Sequence, residues 1–511
     1  MSRSTRALRT TVTASALGYA AQGLSLVAIP LFLKTVGAEG YGLMVTVMAF
    51  MGYLTFADAG LSWGAMILIA QAEGRGDRPG IAHIVRHAAV LALGSGLVVL
   101  LAVGAILAAA SAGWRLPMFA QHPEADRLVL IAGVQLALNL QFGIIYNLFQ
   151  GLQEGYWTSL YSGMSRLLGL GGAMLAAGLT GSVEAMLLAQ LACTLLGGLA
   201  ATVHAWVRHP WAFATGGWRD RGQYAVQLGI GAKNLLLQAG RTLSGTMPTL
   251  AIGSLLGPAA VPLYTVPFTL LTMFFAPVAA WNASMQSAYG EAWESGAVDW
   301  VRAAFRLTIE RVLIAGGLGI GLFVVLADPF VREWTHARLH VDRSTALAIS
   351  AIVLLGSLLA AGQFLLSGLN RHRRAALAEL ANGLLALVLV PVCVHAFGLA
   401  GAGLGVVGSA LATSAWVLRR EIAALLGAQW RPTGGFVAKV VLAAAGGSVL
   451  AWLVGTRWRV VDELPALVPL ALAAGGGALL YGMLVFGLKL MSPETLAAAW
   501  RVLRRRAPVS A

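Results

Sequence analysis

The stretch LVLIAGVQLALNLQFGIIYNLF, from Leu128 to Phe149, contains no charged side chain. An α-helix rises about 1.5 Å per residue, so a helix of about twenty residues crosses the roughly 30 Å hydrocarbon core of a bilayer. The stretch is therefore long enough and apolar enough to span a membrane. It predicts a transmembrane α-helix.

Similar apolar windows recur along the whole chain. Only 11% of its residues are charged, against about 25% in an ordinary soluble domain, and its mean hydropathy is +0.77. These values predict an all-α, polytopic membrane helix bundle with about fourteen transmembrane helices. The windows lie near residues 11–33, 41–70, 83–110, 128–149, 158–179, 183–206, 224–256, 259–283, 305–327, 345–369, 375–396, 398–418, 436–454 and 464–490.

The basic residues predict the orientation of these windows. Of 35 Lys and Arg residues, 24 fall on the side of the two termini and eight on the opposite side. Basic loops are retained in the cytoplasm during insertion, so both termini are predicted to be cytoplasmic. The net charge of +14 is then a topology signal, and we expect no nucleic-acid partner.

The sequence offers little support for an enzyme. It has no Gly-rich loop ending in Gly-Lys-Ser/Thr and no His-Glu-x-x-His zinc site. The pair His83 and His87 has helical metal-ligand spacing but lacks further ligands, and the two cysteines lie inside apolar runs. We therefore expect no catalytic residue, no metal and no cofactor. A membrane glycan polymerase or glycosyltransferase is a less favoured alternative, because the outer loops are only about fifteen residues long, shorter than the large external loop such an enzyme usually has.

A weak internal repeat relates the two halves of the chain. An offset of 217 aligns Gly151-Leu152 with Gly368-Leu369, and an offset of 220 aligns Gly37 with Gly257. Both offsets pair each window with the window six places later, so the repeats are predicted to be parallel. The predicted organisation is an N-lobe at 1–222, a C-lobe at 223–420, and two extra spans with a basic cytoplasmic tail at 421–511.

Four segments carry a resemblance to a known family. They are Pro30-Leu-Phe-Leu-Lys-Thr-Val-Gly-Ala-Glu-Gly-Tyr-Gly-Leu-Met44, Phe56-Ala-Asp-Ala-Gly-Leu61, Gly257-Pro-Ala-Ala-Val-Pro-Leu-Tyr264 and Gly368-Leu-Asn-Arg-His-Arg373. Together they resemble the polysaccharide-export and O-antigen flippases of the multidrug/oligosaccharidyl-lipid/polysaccharide (MOP) exporter superfamily.

The resemblance implies two six-helix lobes around a central cavity that opens alternately to either side of the membrane. It also implies a polyprenyl-diphosphate-linked oligosaccharide as cargo, for O-antigen or exopolysaccharide synthesis at the bacterial cytoplasmic (inner) membrane. Membrane lipids and polysaccharide assembly proteins are the partners that such a role implies.

Three basic residues, Arg166, Lys233 and Arg241, lie inside the predicted windows. A cation at the membrane centre costs about 2.5 to 3.5 kcal/mol on insertion scales, so it usually faces a wet cavity or an anionic partner. Guanidinium groups match phosphate oxygens well, which makes a diphosphate a natural ligand. The alternatives are that Lys233 reaches the membrane boundary, and that Arg166 and Arg241 pair with a carboxylate such as Asp58.

Several uncharged polar residues and one aspartate are further candidates for the transport site. Asp58 either accepts a coupling proton or hydrogen-bonds backbone opened at the following glycine. Gln22 lies on a polar face of the first window, and the fourth carries a stripe of Gln135, Asn139, Tyr146 and Gln150. Such a stripe suits sugar hydroxyls in a cavity, and helix-to-helix hydrogen bonding explains it equally well.

A cation-coupled multidrug antiporter of the same superfamily is the main alternative function. Cationic cargo calls for carboxylates and aromatic faces in the cavity, whereas three basic residues inside the windows favour an anion. The sign of the charge on the residues that line the cavity therefore discriminates between the two functions.

Overall fold

The computed structural model of the chain describes residues 3–58, 61–116, 119, 122–213, 221–371, 373–427, 430–457 and 467–490. Within these ranges the structure consists of α-helices and short 3-10 and π turns, without a β-strand. The helices are α1 (Arg3–Thr35), α2 (Gly37–Leu54), α3 (Leu61–Gly74), α4 (Arg78–Ser111), α5 (Ala125–Gly151), α6 (Gly155–Thr180), α7 (Val183–Arg208), α8 (Arg221–Leu255), α9 (Val261–Glu294), α10 (Val298–Trp334), α11 (Arg343–Gly368), α12 (Arg373–Phe397), α13 (Leu399–Ala410), α14 (Trp416–Leu426), α15 (Gly434–Arg457) and α16 (Leu467–Gly487).

These helices confirm the predicted all-α polytopic membrane bundle. Each of the fourteen predicted windows corresponds to one helix or to two consecutive helices. Among the described residues, twelve helical segments are long and apolar enough to cross a bilayer, and α6 and α8 are not among the twelve. The predicted number of about fourteen spans is thus approximate.

The second predicted window is not one continuous helix. Helix α2 ends at Leu54, a 3-10 turn follows at Thr55–Asp58, and α3 begins at Leu61. Aspartate competes for backbone hydrogen bonds and glycine has a low helix propensity, so an Asp-Ala-Gly sequence is a suitable place for a helix to break. The twelfth window is also interrupted, because a π turn at Leu411–Ala415 separates α13 from α14.

The turns of the chain confirm the parallel repeat. Helices α5 and α11 both end in a turn whose polar residue, Gln153 or Asn370, has a positive φ of 61° or 53°. The two residues are related by the predicted offset of 217. The same backbone hydrogen bond closes each turn, from Glu154 N to Phe149 O at 2.7 Å and from Arg371 N to Leu366 O at 2.8 Å.

Glycines with positive φ recur at the same offsets. They pair as Gly37 with Gly257 and Gly76 with Gly296 at 220, and as Gly181 with Gly398 at 217. Glycine adopts this left-handed conformation without a Cβ clash, which is why it ends helices so often. Because the offset falls by three between the second and third pairs of turns, the first half has three extra residues in that interval.

The chain divides into two compact units. The first comprises residues 1–266 and 373–414, and the second comprises 267–372 and 415–511. In the first unit α1 packs on α6, α6 on α7, α5 on α7, and α8 on both α2 and α12. The lobe boundaries predicted at 222 and 420 stay a prediction.

Candidate functional site

A polar cavity of about 420 Å³ lies inside the first unit. Helices α1, α5, α6 and α7 contribute its walls. With the exception of one glycine and one leucine, the side chains that line it are polar. The lining residues are Ser25, Gln135, Asn139, Tyr146, Ser162, Ser165, Arg166, Gly169, Leu170, Gln190 and Thr194.

Helical spacing places these side chains together. On α5, Gln135, Asn139 and Tyr146 follow each other at steps of four and seven residues, which put them on one face. On α7, Gln190 and Thr194 are also four residues apart. Next to the cavity, α5 and α7 pack closely because residue 198 of α7 is a glycine. A Cβ on Gly198 would overlap the ring of Phe142 on α5. The cavity therefore adjoins a tightly packed region of the same helices.

The cavity offers unused hydrogen-bond acceptors. Gln135 donates from Nε2 to Thr194 Oγ1 at 3.2 Å, but its Oε1 is buried without a partner among the described residues. The hydroxyls of Ser162 and Ser165 donate to backbone carbonyls one turn earlier on α6, at 2.7 and 2.8 Å. Their oxygen lone pairs remain able to accept. A ligand rich in hydroxyl donors would satisfy these groups.

Arg166 supplies the positive charge of the cavity. Its side chain is exposed, and within the described part of the chain it has no hydrogen-bond or ion-pair partner. Neither Asp nor Glu is among the residues that line the cavity. The cavity thus combines one uncompensated guanidinium group with uncharged polar side chains, which is an arrangement that attracts an anion.

Arg241 has a different environment. It lies on α8 with an exposed side chain, and it is attracted by the carboxylate of Glu379 on α12, whose side chain is buried. The structure therefore places Arg241 near a carboxylate, that of Glu379, which the sequence did not indicate as its partner. The side chain of Lys233, also on α8, lies outside the described residues.

The remaining sequence candidates occupy separate places. Gln22 is half-buried on α1, one turn before the cavity residue Ser25. Gln150 lines a second cavity, of about 700 Å³, at the end of α5. Asp58 ends the 3-10 turn after α2, is half-buried and interacts with another group. Neither Gln22, Gln150 nor Asp58 lines the cavity around Arg166.

Sequence reasoning found only part of the cavity. It identified Gln135, Asn139, Tyr146 and Arg166, but not the hydroxyl and amide groups on α6 and α7. The spacing of Gln190 and Thr194 on one face of an otherwise apolar window was a usable signal. The three-residue step from Ser162 to Ser165 was another.

Comparison with known proteins agrees with this architecture. A model of the family described as polysaccharide biosynthesis protein matches residues 7–283. A search of curated proteins by sequence finds no match.

Solved structures with the same fold include two kinds of transport protein. The lipid II flippase MurJ in an inward closed conformation is 12% identical, with a TM-score of 0.68 over 97% of this chain and 100% of that chain. An inward-facing multidrug resistance MATE family transporter of the MOP superfamily is 17% identical, with a TM-score of 0.64 over 79% and 95%.

A third structure of this fold is a MOP superfamily transporter from Pyrococcus furiosus Vc1 (DSM3638), in which the reverse polarity of the binding pocket suggests a different function. It is 15% identical, with a TM-score of 0.52 over 83% of this chain and 97% of that chain. The family match covers more than half of the present chain, and all three structures share its helical fold. The chain therefore belongs to the polysaccharide biosynthesis protein family and has the fold of the MOP superfamily.

Proposed function

We propose that the protein is a flippase that moves a polyprenyl-diphosphate-linked oligosaccharide across the bacterial cytoplasmic membrane by alternating access, for synthesis of a surface polysaccharide. The observation that carries the proposal is the polar cavity around Arg166. It presents a positive charge and hydrogen-bonding groups to the same ligand. A lipid-linked sugar diphosphate has both the matching charge and the matching hydroxyls.

The composition of the cavity favours this cargo over a cationic drug. A drug cation would be stabilised by carboxylates or by the faces of aromatic rings. The lining contains neither Asp nor Glu, and Tyr146 is its one aromatic residue. Arg166 would repel a cation, and it would form charge-assisted hydrogen bonds with a phosphate.

The volume of the cavity also fits a headgroup. Binding sites for small molecules commonly measure roughly 300 to 1,000 Å³, and the cavity of about 420 Å³ lies within this range. Sugar hydroxyls both donate and accept, so they can use the hydroxyl oxygens of Ser162 and Ser165 as well as the amide of Asn139. We assign the sugars of the headgroup to this cavity.

The two basic residues of α8 complete the proposed cargo path. Lys233 and Arg241 are eight residues apart, so their Cα atoms are roughly 12 Å apart along one side of the helix. We propose that they bind the diphosphate together with Arg166 during part of the transport cycle. Polysaccharide assembly proteins are the proposed partners, and both termini are proposed to face the cytoplasm.

Replacement of Arg166 tests the proposal. A hydrogen bond to a charged group contributes about 1.5 to 3 kcal/mol, so Arg166→Ala should lower export roughly ten- to a hundredfold. Arg166→Lys should restore only part of the rate, because lysine lacks the paired donors. The measurement is the amount of polyprenyl-linked glycan accessible in the outer leaflet of cells that carry each variant on the chromosome.

Arg127→Ala is the matched control, because Arg127 is 76% exposed and pairs with Glu184 away from the cavity. It should export like the wild type. If Arg166→Ala accumulates in the membrane and exports glycan normally, the cavity does not bind the cargo. If the variant instead loses extrusion of cationic drugs, the multidrug antiporter is the better description.

A further inference from the structure

A separate cavity of about 420 Å³ lies in the second unit, and the transport site described above does not include it. It is formed where α10 ends and the chain turns back into α11, with α15 on one side. Five of its lining side chains are titratable, and the others, which include Trp452, are apolar. The titratable residues are Asp328, Arg332, His340, Asp342 and Arg343.

Hydrogen bonds anchor the connection between α10 and α11 at two points. Asp328 accepts from the backbone nitrogen of Val341 at 2.9 Å and from Arg332 Nε at 3.2 Å. One turn further along α10, Thr335 Oγ1 accepts from the backbone nitrogen of Leu339 at 3.2 Å. The backbone that carries the last three titratable residues is therefore held against the end of α10.

The side chains of this connection alternate between buried and exposed positions. Leu339 and Val341 are 2% and 6% exposed, whereas His340 and Asp342 are exposed. A period of two is that of extended backbone, in which alternate side chains point to opposite sides, and Asp342 is extended, with φ −62° and ψ 144°. His340 and Asp342 therefore share the exposed side, and both line the cavity.

One charge of each sign in the cavity is available to a ligand. Asp342 precedes the first residue of α11, where an aspartate commonly caps a helix, but its side chain makes no capping hydrogen bond. Within the described part of the chain, neither Asp342 nor Arg343 has a side-chain hydrogen bond or an ion pair. Asp328 and Arg332, in contrast, pair with each other at 3.1 Å. The two carboxylates and two guanidinium groups balance, and one of each remains unpaired.

The cavity lies at the level of a membrane surface. Candidate spans run from Val298 to Trp334, which is α10, and from Gly434 to Gly455 in α15. Trp452 lies three residues before the end of the second span and is 56% exposed. Tryptophan is enriched at membrane–water interfaces. A ligand in the cavity therefore meets charged groups on its water side and apolar groups such as Val324 on its membrane side.

We propose that this cavity binds the headgroup of a phospholipid that carries both a phosphate and a primary ammonium group, as phosphatidylethanolamine does. Arg343 donates paired hydrogen bonds to the phosphate, and the carboxylate of Asp342 accepts from the ammonium group. Trp452 and Val324 contact the glycerol and the first carbons of the acyl chains. The site is independent of the transport function proposed above. In the predicted topology, the lipid belongs to the outer leaflet.

The charges of the cavity favour this headgroup over others. An anionic headgroup without an ammonium group would leave Asp342 without a partner, and a trimethylated ammonium has no N–H to donate to it. A metal cation would meet the guanidinium groups of Arg332 and Arg343. Among the described residues, no group of three or more His, Cys, Asp and Glu side chains is positioned to hold a metal ion.

Native mass spectrometry of the purified, delipidated protein tests the site. Phosphatidylethanolamine, phosphatidylcholine and phosphatidylglycerol with identical acyl chains are added in turn. The wild type should bind the first phosphatidylethanolamine about three- to tenfold more tightly than phosphatidylcholine, because only the former donates to Asp342. Asp342→Ala should abolish this preference, and Arg343→Gln should weaken the binding of all three lipids.

Two variants outside the cavity are matched controls. Glu333→Ala removes an exposed carboxylate at the same end of α10, and Arg127→Gln removes a guanidinium group that is 76% exposed. Both should bind the three lipids like the wild type. Asp342 and Arg343 are exposed, so their variants should keep the wild-type melting temperature. The comparison of lipids on the wild type does not depend on any variant.

Three results would overturn the site. They are equal binding of phosphatidylethanolamine and phosphatidylcholine by the wild type, tighter binding of phosphatidylglycerol, and a phosphatidylethanolamine preference that survives in Asp342→Ala. Glycerophosphoethanolamine, which has the headgroup without acyl chains, identifies the source of the ligand. It should compete far less effectively than the lipid. Equal competition would indicate a site for a soluble phosphate ester and would overturn the lipid as its occupant.

Discussion

Glu154, in the turn between α5 and α6, forms hydrogen bonds with residues at the end of α7. Its side chain is 9% exposed, and it accepts hydrogen bonds from Arg208 Nε at 3.1 Å, Arg208 Nη2 at 3.0 Å and His209 Nε2 at 3.2 Å. Burial raises the pKa of the Glu154 carboxyl, but the hydrogen bonds from His209 and Arg208 outweigh it and lower the pKa to about 2. The residue is therefore ionised at neutral pH and holds three segments together.

The variant Glu154→Gln should destabilise the protein at neutral pH. It removes the charge and replaces one of the two acceptor oxygens with an amide NH2 group that faces the donors of Arg208 and His209, at a cost of about 1 to 3 kcal/mol. Because the folded pKa lies below the ordinary value of 4.5, the stabilisation is complete above about pH 4.5 and disappears as the pH falls towards 2. Thermal unfolding in detergent should show a gap between the variant and the wild type at pH 7 that narrows on acidification. A gap independent of pH would contradict the role of the charge.

Individual residues show what a sequence can and cannot indicate about a site. Arg166, Gln135 and Asn139 stand out because a polar side chain in an apolar window needs a reason to be there. Nothing in the sequence distinguishes Arg166, which has no described partner, from Arg241, which has Glu379 beside it. That difference arises from the contact between α8 and α12, which are distant in sequence, so only the tertiary fold reveals it.

At the scale of helices, the close approach of α8 and α12 organises the region around Glu379. A Cβ on Gly240 would overlap the backbone of Glu379, and a Cβ on Gly383 would lie 2.7 Å from the carbonyl oxygen of Gly240. Small residues at such crossings allow two helix backbones to approach, which is a common packing mode in membranes. Gly240 and Gly383 therefore fix the separation at which Arg241 lies beside the buried carboxylate.

Two alanine substitutions on α8 should have opposite effects. Gly240→Ala places a methyl group against backbone that cannot move aside, and overpacking of this kind typically costs about 1 to 3 kcal/mol. Gly245→Ala meets nothing within 4 Å, and it should gain up to about 1 kcal/mol of helix propensity. The measurement is the apparent melting temperature by fluorescence-detected size exclusion. Equal effects of the two substitutions would contradict a close crossing at Gly240.

Helix positions were predictable from the sequence, and helix interruptions were predictable only in part. Apolar length alone located every window, and glycine turns such as Gly37 and Gly257 revealed the repeat. Asp58 and the glycine after it indicated an opening in the second window, whereas the π turn at Leu411–Ala415 lies inside a window without such a signal. Hydropathy measures the preference for the membrane and is insensitive to local backbone geometry, so it cannot report a 3-10 or a π turn.

At the scale of the whole molecule, the distribution of basic residues predicts orientation. The side predicted to carry both termini has 24 of the 35 Lys and Arg residues. Among the residues assigned to this side, Arg75 lies at the exposed end of α3 and Arg373 at the exposed start of α12. Ser111, at the end of α4, and Arg338, after α10, are exposed on loops assigned to the opposite side. These four positions therefore report the topology without disturbing buried contacts.

Single cysteines at these positions should react according to side. The native Cys193 and Cys393, which are half-buried, are first replaced by alanine. A membrane-impermeant thiol reagent added to intact cells should label Ser111→Cys and Arg338→Cys, because their loops are predicted to face outwards. Arg75→Cys and Arg373→Cys should react only after the membrane is permeabilised, which also controls for the reactivity of the thiol at each position. Labelling of Arg75→Cys and Arg373→Cys in intact cells would place both termini outside. The cargo would then have to bind first from the opposite face, which cannot be reconciled with export of a glycan assembled in the cytoplasm.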